Sequence, residues 1–141
     1  MNKEITIVFV SYYSKRKILK YLKQFNNKFK VIIIENSNDL SLRKEFKKFK
    51  NISIIYNKKN LGFGASSNIG LKKIKTKYGL HLDLDTSFSN KSIFQLIDEA
   101  NKLDDFIILG PKIKNYNYKS RDFRKKNYLK NLNLMNFIDG C

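Results

Sequence analysis

The chain has 141 residues, enough for one domain with a real core and too few for several. Apolar residues make up 42% and aromatics 13%, a globular composition rather than that of a disordered tail. Lys and Arg number 29 against 12 Asp and Glu, and a net charge of +17 favours anionic partners: nucleic acid, a membrane surface or a phosphorylated substrate. The cations recur in short groups such as Lys15-Arg16-Lys17, Lys47-Lys48, Lys58-Lys59 and Lys72-Lys73, so they read first as a basic surface spread over all sides. No apolar run approaches the roughly 20 residues of a membrane span. The start, Met1 to Ile5, has no signal-peptide layout, and the single cysteine, Cys141, permits no internal disulfide; both fit a cytoplasmic location.

Strand and helix patterns alternate. Ile5 to Val10 reads as a buried strand rich in β-branched residues. Ser14 then caps a helix with Ile18, Leu22 and Phe25 on one face and Leu19 beside them. Val31 to Ile34 is a second strand, and Leu42, Phe46 and Phe49 mark a second helix. Ile52 to Tyr56 is a third strand. A glycine-bearing turn, Asn60 to Gly64, opens a third helix through Ile69 and Ile74. A fourth strand runs from about Tyr78 into Asp83 and Asp85. Ser89 or Asn90 caps a fourth helix with Ile93, Leu96, Ile97, Ala100 and Leu103 on its buried face. Phe106 to Leu109 is a fifth strand, stopped by Gly110-Pro111. This alternation predicts an α/β fold: a mostly parallel, Rossmann-like sheet with helices on both faces.

In such sheets ligands bind beyond the carboxyl ends of the strands. Asp83 and Asp85 fall at such an end, as do Ser11, Glu35-Asn36-Ser37 and Asn57. Strand alternation would point both aspartates to one side. Two adjacent carboxylates repel unless a cation sits between them, and a divalent ion carrying a diphosphate fits that need. Solvated or helix-capping aspartates are the competing reading. The Gly62-Phe63-Gly64 turn is either a phosphate-binding loop at a helix start or a tight turn that needs glycine. A dinucleotide fingerprint is disfavoured, because Ser67 stands where a third glycine belongs and the turn follows the third strand. His81, the only histidine, reads first as a core residue or a support behind the site, with a metal ligand as the open alternative. Without a second histidine, metal-hydrolase and Ser/His/Asp chemistries have no footing.

Taken in order, the segments Val10-Ser11-Tyr12, Ile34-Glu35-Asn36-Ser37, Asn60 to Ala65 with Asn68-Ile69-Gly70, Leu82 to Thr86, Leu109 to Ile113 and Phe137 to Cys141 resemble family 2 glycosyltransferases, which have the GT-A fold. The likeness is greatest to the rhamnosyltransferase-like branch. It implies a nucleotide-sugar donor (UDP-, dTDP- or GDP-linked) and transfer to a glycan or lipid-linked acceptor in cell-surface polysaccharide synthesis. It implies donor contacts from Ser11, Glu35, Asn36, Gly62, Gly64, Asn68 and Asp83, with Ser11 and Glu35 at the base. Asp85, with Asp83, would hold Mg²⁺ or Mn²⁺ against the diphosphate. Tyr13 stands where the family commonly has asparagine.

The resemblance divides the chain into a donor-binding domain (1–113), a basic connector (114–133) and the start of an acceptor-side part (134–141). The family's catalytic base would lie beyond Cys141, so the sequence reads as truncated and its own turnover stays open. Peripheral contact with an anionic membrane is a further expectation, and nucleic acid is a disfavoured partner. Two rival readings remain at this point. A sugar nucleotidyltransferase would want a glycine-rich loop after the first strand, where Ser11 to Arg16 has no glycine. A non-enzymatic basic nucleic-acid module would give no reason for the aspartate pair.

Overall fold

The computed structural model describes residues 2–103 and 108–110. Two compact units divide the chain after Phe88. In the first unit strands and helices alternate: β1 (Ile5–Ser11), α1 (Lys15–Phe25), β2 (Lys30–Glu35), α2 (Leu42–Phe46), β3 (Ile52–Tyr56), α3 (Phe63–Leu71) and β4 (Tyr78–His81). The sheet order is β3-β2-β1-β4, and every pair is parallel. Successive strands move outward from β1 to β3, and the chain then crosses to the other side of β1. That reversal is the topological switch point at which open α/β sheets form their crevice.

Alternation along β1 feeds two cores. On one face Phe9 stacks on Tyr21 and Phe25 of α1, with ring centroids 5.7 and 6.1 Å apart. On the other face Val8, Ile32 and Ile34 pack with Ile55, Ile69 and Ile74. Both faces are covered, which is why the strands read as unbroken apolar runs. Close approach of α3 depends on Gly70. A Cβ there would stand 2.5 Å from Val8 Cγ1 and 3.3 Å from Ile34 Cγ1.

Helix α1 buries Ile18, Tyr21, Leu22 and Phe25 at helical spacing. It ends at Asn26, whose left-handed backbone (φ 46°) lets its N–H reach the Leu22 and Lys23 carbonyls. Ser14 holds the expected N-cap position but does not cap; its hydroxyl donates to the Tyr12 carbonyl at 2.9 Å.

Three further boundaries differ from the sequence expectation. Helix α2 closes at Phe46, and Phe49 follows it in a turn whose amide donates to the Phe46 carbonyl at 3.0 Å. Helix α3 stops at Leu71, and Ile74 reaches the core from the turn beyond. Strand β4 ends at His81 rather than running into the aspartates. Leu82 donates one more ladder bond to the Val8 carbonyl, at 3.1 Å. The Thr86 amide and hydroxyl then both donate to the Asp83 carbonyl, at 3.3 and 2.7 Å, and fold Asp83–Thr86 into a turn. Period-two alternation therefore does not set the directions of Asp83 and Asp85.

The second unit opens with α4 (Asn90–Asn101). Ser89 caps it by accepting from the Ser92 amide at 3.1 Å, and Ile93, Ile97 and Ala100 are buried. Leu96 and Leu103 are half-buried. The expected fifth strand falls largely on 104–107, outside the described residues, and Ile108–Gly110 lie in no strand. The expected segments 114–133 and 134–141 also lie outside the described residues.

Candidate functional site

Because all four strands are parallel, their carboxyl ends share one edge. Ser11 and Glu35 are register partners there, and Asn36 and Asn57 follow the next two strand ends. Backbone bonds continue the ladder past the strands: Asn36 N–H to the Ser11 carbonyl at 2.8 Å, and Asn57 N–H to the Glu35 carbonyl at 2.9 Å.

The Asn36 side chain is the joint of this edge. It is 4% exposed. Its Oδ1 accepts from Asn57 Nδ2 at 2.7 Å and from the Ser66 hydroxyl at 2.8 Å. Its Nδ2 donates to the Gly62 carbonyl at 3.2 Å. One amide thus ties the ends of β2 and β3 to the glycine turn and the first turn of α3. Glu35 is also buried, and its carboxylate accepts from both the amide and the hydroxyl of Ser37. Ser11 is fully buried, and its Oγ has no hydrogen-bond partner among the described residues.

Gly62 takes φ +78°, a conformation that favours glycine, and this turns the chain into α3. The Asn60 side chain accepts from the Gly62 amide at 2.8 Å and sets the turn. No side chain caps α3, no acidic residue stands in its first turn, and Gly62, Phe63 and Gly64 are exposed. A Cβ at Gly64 would meet nothing within 4 Å. The helix start therefore offers backbone N–H groups and the positive end of its dipole to whatever occupies this edge. Asn68 is exposed one turn further on.

His81 ends β4 beneath that helix start. Its Nε2 lies 3.0 Å from Ser67 Oγ, and the Phe63 ring meets the imidazole edge-on at 5.1 Å. Burial lowers the imidazole pKa, while the nearby Asp83 carboxylate acts in the opposite sense.

Asp83 and Asp85 are both exposed in the turn after β4. Helix α1 fixes that turn from behind. The Tyr21 hydroxyl donates to the Thr86 carbonyl, and the Gln24 amide donates to the Phe88 carbonyl at 2.8 Å. The Tyr21 and Phe88 rings stack at 4.8 Å. Asp85, Thr86 and Ser87 line an open depression together with Lys17 and Lys20.

The structure brings Asn36 into direct contact with the glycine turn, and it links that turn to the aspartate side through Ser67 and His81. Ser11 and Glu35 lie beneath the surface of the edge rather than on it. Ser66 and Tyr21 join the site without a signal in the sequence, and Asn57, expected at the edge, gains its role there as a donor to Asn36. A polar residue just after each of two neighbouring strands was the available signal for Asn36 and Asn57. The Tyr21–Thr86 bond spans 65 positions and left no local trace.

Carboxylate oxygens such as those of Asp83 and Asp85 are the donor type of a hard cation. Among the described residues no group of three or more His, Cys, Asp or Glu could hold a metal alone. The two exposed carboxylates would leave most of the coordination sphere to substrate oxygens, which is how Mg²⁺ is commonly held.

The family model for glycosyl transferase family 2 matches residues 6–140. The chain belongs to this family. Among solved structures, the glycosyltransferase fold of this chain resembles the crystal structure of S. aureus TarS 1-349, with a TM-score of 0.57 and 19% identity. That match covers 70% of this chain and 33% of the TarS chain, so the chain spans about a third of that structure's length. No curated protein matches the chain. Among the described residues no helix is long and apolar enough to cross a membrane.

Proposed function

We propose that the carboxyl edge of the sheet binds a nucleotide-sugar and that the chain serves glycosyl transfer to a glycan or lipid-linked acceptor. The observation that carries this reading is the joint at Asn36. It fixes an uncapped helix start on the same edge as two exposed aspartates.

Each residue has a place in this reading. Asp85 and Asp83 would hold Mg²⁺ or Mn²⁺, which, when bound, supplies positive charge to the leaving diphosphate. Gly62 and Gly64 keep the start of α3 free of side-chain bulk, so its amides face the donor phosphates. Asn68 would contact the donor from the next turn of α3. Ser11, Glu35 and Asn36 shape the base side from below: Glu35 holds Ser37 in place, and Asn36 positions the glycine turn. Tyr21 positions the aspartate turn through the Thr86 carbonyl.

Within the family, the ordered motifs resemble the rhamnosyltransferase-like branch most. Residues 1–113 would form the donor domain, and residues 114–141 would lead towards the acceptor side. A cytoplasmic setting beside an anionic membrane fits the net charge of +17.

Thermal unfolding of the full chain with a panel of UDP-, dTDP- and GDP-sugars tests this reading. One nucleotide class raises the midpoint in Mn²⁺ and does so much less in EDTA. No shift with any donor in a folded sample overturns the reading.

A further inference from the structure

Parallel pairing gathers the strand entries on the edge opposite the candidate site, and that edge is lysine-lined. Lys3 precedes β1, Lys28 and Lys30 lead into β2, Lys48 and Lys50 into β3, and Lys75 precedes β4; all are exposed. Helix α3 ends on the same side, adding Lys72 and Lys73 next to Leu71, which is 41% exposed. Glu4 is the acidic residue at these strand entries. On the other edge Glu35 ends β2 and Asp39, Asp83 and Asp85 follow strand ends, with the exposed Arg16, Lys17, Lys58 and Lys59 among them. Among the described residues, the ion pairs Lys15–Glu45 and Lys102–Glu99 involve none of these lysines. Among the described residues net positive charge is thus concentrated at the strand entries, where Glu4 stands among the lysines just named, whereas carboxylates offset the cations of the other edge.

We propose that this amino-terminal edge of the sheet docks the protein on an anionic phospholipid bilayer. That asymmetry orients the molecule, since an anionic plane attracts the lysine edge more strongly than an edge whose cations stand among carboxylates. Lysines at the ends of adjacent strands present flexible point charges across an edge, which suits a headgroup layer. Asn27, Lys48, Lys50 and Asn51 line an open cleft in this edge, where a headgroup phosphate would find two cations and two amides. Nucleic acid fits less well. The exposed aromatics Tyr12, Tyr13 and Phe63 lie at the opposite edge, so the lysine edge has none of them for stacking bases. Docked this way, the carboxyl edge faces the aqueous phase, which favours the glycan acceptor of the proposed function over one held at the headgroups.

Co-sedimentation with vesicles tests the proposal without nucleotide or metal, so its outcome is separate from that of donor binding. The probes are phosphatidylcholine vesicles and vesicles of equal parts phosphatidylcholine and phosphatidylglycerol. The full chain binds the anionic vesicles at low salt, releases at high salt and ignores the neutral ones. The variant Lys28→Glu/Lys48→Glu/Lys75→Glu loses affinity about a hundredfold. A charge-matched variant at the other edge, Arg16→Glu/Lys58→Glu/Lys59→Glu, loses less than about tenfold. Circular dichroism verifies folding, and Lys→Gln at the same three positions replaces the glutamates if the first variant does not fold. Equal losses in the two variants, absence of wild-type binding, or tighter binding to DNA than to anionic vesicles overturns the proposal.

Discussion

Asn57 Nδ2 donates to Asn36 Oδ1 at 2.7 Å, in a pair of buried amides that lock the ends of two adjacent parallel strands. Ser66 donates to the same oxygen, and Asn36 itself donates to the Gly62 carbonyl. Asn36→Ala would leave the buried Asn57 amide and Ser66 hydroxyl without that acceptor. A buried polar group that loses its partner costs about 1–3 kcal/mol. Urea unfolding of this variant is expected to show a loss in that range, together with weaker donor binding because the glycine turn loses its tie. Asn36→Asp keeps the acceptor but sets a buried carboxylate against the Gly62 carbonyl, and is expected to recover none of the lost stability.

Gly70 and Gly64 sit in the same helix and predict opposite outcomes. Gly70→Ala drives a Cβ to 2.5 Å from Val8 Cγ1, and overpacking of this kind costs about 1–3 kcal/mol. Gly64→Ala meets nothing within 4 Å and gains helix propensity, so stability holds or rises by up to about 1 kcal/mol. Donor affinity should nevertheless fall in Gly64→Ala, because the new methyl stands at the helix start that faces the phosphates. Denaturation paired with nucleotide titration separates the two effects.

Much of this architecture was legible in the sequence. The bounds of Ile52–Tyr56 are readable because its apolar run is flanked by Asn51 and Asn57. The alternation of strands and helices was readable because each strand is covered on both faces. The end of β4 was not readable. Leu82 and Leu84 look like strand continuation, yet the ladder with β1 stops and Thr86 bonds back to Asp83. The inward use of Asn36 was also hidden, since a turn asparagine and a stitched, buried one look alike in sequence.

Tyr21 offers a test of how the aspartate turn is held. Tyr21→Phe keeps the ring stacking on Phe9 and Phe88 but removes the hydroxyl that donates to the Thr86 carbonyl. A stability loss of about 1 kcal/mol is expected. Mn²⁺ binding in the presence of nucleotide should weaken more than nucleotide binding alone, because the turn carrying Asp85 loosens. Calorimetry on the variant checks this; unchanged metal affinity would mean the hydroxyl is only structural.

His81 gives the fold a pH dependence. Burial holds its folded-state pKa below the ordinary imidazole value near 6.5, against the weaker opposing pull of Asp83. The unfolded chain therefore binds the proton more readily. Its contribution is fully present above about pH 6.5 and is lost as pH falls from there through the folded-state pKa. Urea midpoints measured from pH 8 down to pH 5 should decline for wild type. The decline should be shallower for His81→Gln, which retains a polar partner for Ser67.

The proposed donor site turns on Asp85 holding the cation that bridges protein and donor diphosphate. Calorimetric titration of the full chain with UDP-, dTDP- and GDP-sugars, with and without Mn²⁺, tests it most directly when run alongside Asp85→Ala. Asp85 is exposed, so this variant should fold like wild type. The expected result is metal-dependent binding of one nucleotide class by wild type, abolished in Asp85→Ala. Equal binding by the variant, or wild-type binding that ignores Mn²⁺, would contradict the account.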